Sequence, residues 1–196
     1  MLDDARIARL RRTFEARPAA AARRTPDQRE AAVALLVRPR QSLEVLLIRR
    51  AELHGDPWSG HVALPGGRRS RADADLFATA CRETLEEVGV NAKVAGMFIG
   101  ALDEVAPSSP LLPPVLIAPF VLAVPPDTTA TPDPRKVQAA FWVPIEALRD
   151  RKAASEILVV GDGGPLRFPS LTYEDYVIWG LTYGILQQFL DTVDPA

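Results

Sequence analysis

Three glutamates, Glu83, Glu86 and Glu87, are the residues best placed to do chemistry in this chain. Read as a helix from about Asp73 to Val88, the stretch puts Leu76, Phe77, Ala80, Cys81, Thr84, Leu85 and Val88 on one arc at about 100° per residue, and that arc faces a core. Glu83 and Glu87 then stand one turn apart, with Glu86 roughly 60° to one side, so the three carboxylates crowd the edge of the buried face. Like charges so placed repel, by a few tenths of a kcal/mol when solvated and more when partly buried, unless a cation neutralises them. All-oxygen ligation suits Mg²⁺ or Mn²⁺. Mg²⁺ is usually held by one or two carboxylates, several waters and substrate phosphates, which points to phosphate chemistry. Ahead of the helix, Pro65-Gly66-Gly67 reads as a turn whose missing side chains let backbone groups come close to a metal or a phosphate. A solvated acidic face explains the charge run alone equally well.

The order of residues separates the two readings. Arg82-Glu83-Thr84-Leu85-Glu86-Glu87-Val88-Gly89-Val90, after a Pro-Gly-Gly turn, resembles the second half of the Nudix box: Arg-Glu, an aliphatic residue, any residue, Glu-Glu, any residue, Gly and an aliphatic residue. The chain departs from the box at Arg68, where the pattern has glycine, at Ala74, where it has glutamate, and at Thr84, where an aliphatic residue is usual. Asp73 and Asp75 flank Ala74, and whether either substitutes for the missing glutamate is open. The resemblance implies an α/β (α+β) chain with the Nudix fold, a mixed β-sheet in an α/β/α sandwich. It also implies metal-dependent hydrolysis of a phosphoanhydride in a nucleoside diphosphate derivative. Glu83, Glu86 and Glu87 would hold Mg²⁺ or Mn²⁺, with a carbonyl of the glycine turn at Gly67 as a candidate further ligand. Arg82 is expected to pair with a carboxylate and hold the cluster in shape, and Arg49, Arg50 and Arg68 are candidates for phosphate contact.

A longer resemblance surrounds the box. Leu46-Leu47-Ile48-Arg49-Arg50, a polar loop and Gly60-His61-Val62-Ala63-Leu64-Pro65-Gly66-Gly67 resemble the coenzyme A pyrophosphatase branch of Nudix hydrolases, with Leu64 and Arg68 where that branch usually has Phe and Lys. The segment from Leu102 to Val124 and the Ile178-Trp179-Gly180-Leu181-Thr182 sequence resemble the same branch. The implied substrate is coenzyme A or an acyl-coenzyme A, cleaved to 3′,5′-ADP and a phosphopantetheine. ADP-ribose or NADH is the alternative substrate. The alternative of another class is a nucleotide-sensing regulatory Nudix domain with weak or no catalysis, which the loosened first half of the box favours. Asp103 and Glu104, on a loop outside the box, are candidates for a general base or an extra ligand. Trp58 fits a base-stacking platform as well as a cover for the core. His54 and His61 lack a histidine or cysteine at ligand spacing and read as loop hydrogen-bonding groups.

The elements that must position these groups follow from patterning. Residues 1–30 read as an N-terminal helix, with Ile7, Leu10 and Phe14 at helical spacing, followed by a basic connector; residues 31–190 form the Nudix domain and 191–196 a tail. Arg11, Arg12, Arg23 and Arg24 are expected to be solvated. Ala31 to Val37 and Glu44 to Arg49 read as central strands, Val94 to Gly100 and Pro114 to Val124 as strands of a second sheet, and Lys136 to Val143 as a strand leading into a helix over Ile145 to Leu148. Lys136 stands where the family strand has Glu. Trp179, Thr182, Ile185, Leu186 and Phe189 lie at helical spacing and read as core.

Composition bounds the partners. A net charge of −2 leaves no basic footprint for nucleic acid, and no apolar run is long enough to span a membrane. The single cysteine, Cys81, excludes an internal disulfide and fits a reducing cytoplasm, and the partner expected is a small nucleoside diphosphate derivative. The N-terminal helix and the C-terminal apolar segment offer surfaces for a homodimer.

Overall fold

The computed structural model describes residues 3–25, 27–52, 58–107, 114–161 and 164–193. A mixed seven-stranded sheet forms its centre, ordered β3-β2-β1-β6-β5 with β4 pairing β1 and β7 pairing β2. The strands are β1 (Arg29–Pro39), β2 (Leu43–Arg50), β3 (Val62–Ala63), β4 (Gly66–Arg68), β5 (Met97–Ala101), β6 (Val115–Ala123) and β7 (Val137–Pro144). The period-two alternation of β1 splits the core into two layers. Leu35 and Val37 face a cluster with α1 (Ala5–Ala16) and the C-terminal helix, while Ala32, Ala34 and Leu36 face α2 (Leu76–Val88) and the short α3 (Ala92–Ala95). This is the expected α/β/α sandwich. The N-terminal helix belongs to the same core: Ile7, Leu10 and Phe14 are buried, and Phe14 stacks on Phe189 with ring centroids 6.4 Å apart.

Three expectations are corrected. The strands β5 and β6 are not a second sheet, because β6 pairs parallel with β1 over nine residues, from Arg29↔Val115 to Val37↔Ala123. Residues 92–95 are helical, so β5 begins only at Met97. A separate three-stranded sheet instead comes late in the chain, from β8 (Ala154–Gly161), β9 (Gly164–Tyr173) and β10 (Tyr176–Trp179), in the order β10-β9-β8. Trp179 therefore ends a strand and is not on the helix. Gly180, with φ of +63°, breaks the chain there, and α5 (Gly180–Val193) starts after the tryptophan. Between β7 and β8 lie α4 (Ile145–Arg149), beside the expected Ile145 to Leu148, and a single 3-10 turn.

The element carrying the glutamates is sharply bounded. Asp75, extended, caps α2 by accepting from the Ala78 N–H at 2.7 Å, so the helix starts at Leu76 rather than near Asp73. Gly89 ends it in the left-handed region, at φ of +68°, where its N–H reaches the Leu85 carbonyl at 3.0 Å. Ala80, Cys81, Thr84 and Val88 are buried as expected, and burial pushes the Cys81 thiol pKa up. Leu85 departs from the expected arc: it is 48% exposed, because Thr84 and Val88 turn the helix onto the sheet along a narrower stripe.

Candidate active site

The Pro-Gly-Gly stretch is a strand and not a free turn. Gly66, Gly67 and Arg68 pair antiparallel with Val33, Ala32 and Ala31 of β1, wedging β4 between that strand and α2. Glycine is demanded by space at both positions. A side chain on Gly66 would collide with the Ala32 carbonyl oxygen and the Val33 Cα, and one on Gly67 would meet the Glu83 carboxylate at 2.6 Å. The missing side chains thus let helix and strand backbones touch. The Gly66 N–H donates to Glu87 Oε2 at 2.9 Å.

The three glutamates sit in three environments. Glu87 is buried, at 3% exposure, and burial pushes its carboxyl pKa up to about 7, against the opposing pull of the Gly66 N–H. Glu83 packs against Gly67, and Glu86 is the most exposed of the three. Two cations cross-link Glu83 and Glu86. Arg82 donates to Glu83 at 2.8 Å, to Glu86 at 3.1 Å, to both oxygens of Asp73 at 2.9 and 3.0 Å, and to the Arg68 carbonyl at 3.1 Å. Lys136, just before β7, reaches Glu86 at 2.6 Å and Glu83 at 3.5 Å. Asp73 is held far below the usual carboxylate range, chiefly by Arg82, and donors from Ser70 and Thr79 add to the effect. Glu86 is lowered by Lys136 first and Arg82 second.

The flanking aspartates have thus divided two tasks. Asp75 caps the helix, and Asp73 anchors the Arg82 guanidinium from outside it, near the place of the missing glutamate at Ala74. Sequence reasoning left Asp73 undecided and did not place Lys136 in the site at all. The pairing of β7 with β2, in which Arg50 stands opposite Val137, brings Lys136 there, and no local sequence pattern signals it.

The other candidates separate. Arg50, Arg68 and Trp58 line a cavity of about 570 Å³ that runs from Gly66 and Gly67 to an aromatic wall of His61, Phe168 and Trp179. His61 lies 4.8 Å and Phe168 5.8 Å from Trp179, centroid to centroid, and Thr182 donates to the Val62 carbonyl at 3.0 Å, tying α5 to the cavity rim. Trp179, read from sequence as core, is a wall of this cavity, since its strand and not the helix carries it. Arg49 alternates to the other side of β2, where it pairs with Glu52 at 3.4 Å. His54 lies outside the described residues.

Asp103 and Glu104 serve the N-terminal connector. Asp103 accepts from Arg17 at 2.7 Å and from the Ala20 N–H at 2.8 Å; Glu104 accepts from Arg24 at 2.8 Å and from the Ala22 N–H at 2.9 Å. Their carboxylates strap residues 17–24 to the loop after β5. Arg24, expected to be solvated, is part of that strap.

An α/β/α sandwich whose helix presents Arg82, Glu83, Glu86 and Glu87 to a glycine strand defines a class of hydrolases, and comparison with known proteins specifies it. The family model described as NUDIX domain matches residues 27–159, and the chain belongs to that family. It is similar to the uncharacterized Nudix hydrolase NudL of Salmonella dublin, 32% identical over 84% of this chain and 83% of that one. It is 42% identical over 107 residues to the uncharacterized protein C14C4.10c of Schizosaccharomyces pombe, a match spanning 53% of this chain and only 32% of the relative. Among solved structures, the NUDIX domain of Shewanella oneidensis NrtR complexed with ADP ribose shares the fold, with a TM-score of 0.51 and 19% identity over 64% of this chain and 78% of that one. The protein is a Nudix pyrophosphohydrolase, which hydrolyses a pyrophosphate linkage in a nucleoside diphosphate derivative. No helix among the described residues is long and apolar enough to cross a membrane.

Nudix enzymes generally need a divalent metal ion, and the donor chemistry here fits one. The acidic side chains are hard oxygen donors, one of them buried, and two cationic side chains already offset their mutual repulsion. Among the described residues no three acidic, histidine or cysteine side chains are already gathered as a metal-binding group. Arg82 and Lys136 hold Glu83 and Glu86 instead.

Proposed function

We propose that the protein is a Mg²⁺- or Mn²⁺-dependent pyrophosphatase acting on coenzyme A or an acyl-coenzyme A and releasing 3′,5′-ADP and a phosphopantetheine. The observation that carries this reading is the cavity abutting Gly66, Gly67 and Arg68, which is walled by Val62, Leu64, Leu181 and aromatic rings and has few charges beyond Arg50 and Arg68. A long, weakly polar pantetheine arm or its acyl extension suits such walls. The upstream resemblance, from Leu46 through Gly67, supports the same substrate.

Glu83, Glu86 and Glu87 are the proposed metal ligands, with the Gly67 carbonyl as a further candidate. A bound metal would neutralise the diphosphate and lower the pKa of an attacking water. The chain's own groups do the positioning. Arg82, fixed by Asp73, keeps Glu83 and Glu86 together, the Gly66 N–H fixes Glu87, and Arg50 and Arg68 contact phosphate oxygens at the cavity mouth. Trp58 and Trp179 flank the organic moiety.

The test is hydrolysis of coenzyme A, acetyl-coenzyme A, ADP-ribose, NADH and a nucleoside triphosphate with Mg²⁺, Mn²⁺ or chelator, with products resolved by mass. Cleavage of coenzyme A to 3′,5′-ADP only with metal is the expected result. ADP-ribose, the ligand of the similar NrtR domain, is the second reading; its preferential cleavage would keep the chemistry and discard the coenzyme A assignment. Nucleotide binding without turnover of any substrate would move the chain to a sensing role.

A further inference from the structure

Beside the carboxylate cluster lies a second and more open cleft of about 680 Å³, which shares Arg68 with the aromatic cavity. Five arginines line it, Arg24, Arg29, Arg68, Arg69 and Arg71, against two carboxylates, Glu30 and Asp73. Both carboxylates are already paired: Glu30 with Arg69 at 2.7 Å and Arg24 at 3.3 Å, Asp73 with Arg82. The guanidinium groups of Arg29, Arg68 and Arg71 have no partner among the described residues. The cleft therefore carries uncompensated positive charge on a chain whose net charge is −2.

Strand register connects this cleft to the substrate cavity. Arg68 of β4 stands opposite Ala31 of β1, and Arg29 lies two residues before Ala31, so Arg29 and Arg68 leave the sheet on the face that Ala31 and Val33 present to the aromatic cavity. Arg68 lines both spaces, and it follows directly on Gly67, which packs on Glu83. A diphosphate held at the glutamates thus lies close to both the apolar space and a cluster of arginines whose guanidinium groups are unpaired among the described residues.

We propose that the arginine cleft is a subsite for a phosphate monoester that the substrate carries in addition to its diphosphate, on the nucleoside half. This rests on the pyrophosphatase reading above and deepens it, since the subsite sorts the candidate substrates. Coenzyme A has such a group, the 3′-phosphate of its adenosine, whereas ADP-ribose and NADH have none. The forked geometry of an arginine matches the oxygens of a phosphate monoester, and several unpaired guanidinium groups gain more from such a dianion than from a neutral ribose. The substrate is thereby oriented, with the phosphorylated nucleoside toward Arg29 and Arg71 and the pantetheine toward Trp179.

The experiment is calorimetric binding of 3′,5′-ADP and of 5′-AMP to the full chain and to the Arg29→Ala/Arg71→Ala double variant, whose changed side chains are exposed. Hydrolysis of coenzyme A and 3′-dephospho-coenzyme A is measured in parallel. The expected result is that the wild type binds 3′,5′-ADP on the order of tenfold or more tighter than 5′-AMP, a gap that falls to about threefold or less in the variant and narrows with added salt. Equal binding of the two nucleotides by the wild type would overturn the subsite even if coenzyme A is cleaved. A gap that survives the double substitution would overturn its placement in this cleft. A gap that disappears in the variant, with no cleavage of coenzyme A, would uphold the subsite and bring down the coenzyme A assignment alone.

Discussion

The two walls of the active site are built in opposite ways. The acidic wall comes almost entirely from one stretch, Gly66 to Glu87, and is cross-linked by charged hydrogen bonds around Arg82, with Lys136 as its one distant member. The aromatic wall gathers Trp58 and His61 from the loop before β3, Phe168 from β9 and Trp179 from β10, held by ring contacts and apolar packing. On the proposed reading, the positions of the first wall's charges decide the reaction and the shape of the second decides what is bound. Damage to the first should therefore appear in turnover, and damage to the second in KM.

The sharpest break should come at Glu87. Its carboxylate is buried and fixed by the Gly66 N–H, so Glu87→Gln is expected to lower metal-dependent turnover about a thousandfold or more without loss of fold. Steady-state kinetics together with circular dichroism checks this, and near-normal turnover would remove Glu87 from the site. Gly67→Ala should approach the same loss by another route, because the added methyl group would meet the Glu83 carboxylate and force it aside. If that variant kept wild-type kcat, the close packing of β4 on α2 would have no bearing on the chemistry.

Glu87 should also show the opposite effect on stability. Its ordinary pKa of 4.5 is raised to about 7 in the folded chain. Below pH 4.5 the group is protonated in both folded and unfolded chains and costs nothing. As pH rises from 4.5 through about 7, the unfolded chain loses its proton first, and the metal-free fold loses up to roughly 3 kcal/mol. In chelator, Glu87→Gln is expected to be more stable than wild type at pH 8 and nearly equal to it at pH 4. Thermal unfolding at the two pH values measures this, and a Tm difference independent of pH would sink the idea.

How much of this was legible in the sequence depends on how far apart the contributing residues lie. The acidic wall was readable because Arg82, Glu83, Glu86 and Glu87 fall within two turns of one helix, where periodicity alone fixes their relation. Asp73 was only half readable. Its spacing from Arg82 says little, since the intervening turn and the Asp75 cap decide that it faces the guanidinium. Lys136, some fifty residues away, enters by strand pairing, which no local pattern encodes. The strands of β5 and β6 were recognisable, yet their membership of the central sheet was not, because a parallel partner is chosen by tertiary packing. Trp179 was misplaced for a related reason: one glycine with positive φ separates strand from helix, and Ile178 to Phe189 satisfies a helical pattern regardless.

Asp73→Asn sharpens the comparison within the acidic wall. The amide keeps the shape but removes the charge that holds Arg82, leaving the guanidinium to be shared by Glu83 and Glu86. Residues that orient metal ligands from outside typically contribute about ten- to a hundredfold, so kcat should fall within that range while KM changes little. A KM effect without a kcat effect would assign Asp73 to substrate binding.

The smallest effect expected belongs to the aromatic wall, and it tests whether the walls are separable. Trp179 touches His61 and Phe168 and ends β10 at the left-handed Gly180, so its ring is held by packing and by the chain break alike. Trp179→Leu keeps apolar bulk on the strand and removes the flat face. If the ring lies against the organic half of the substrate, KM should rise about three- to tenfold and kcat should stay within roughly twofold, since ring contacts of this kind contribute on the order of 1 kcal/mol. A fall in kcat at unchanged KM would mean that the aromatic wall helps hold β3 and β4, and through them the glutamates, in place. The two walls would then be one structure, and the division between reaction and recognition would fail at its weakest join, the short run from His61 to Gly66.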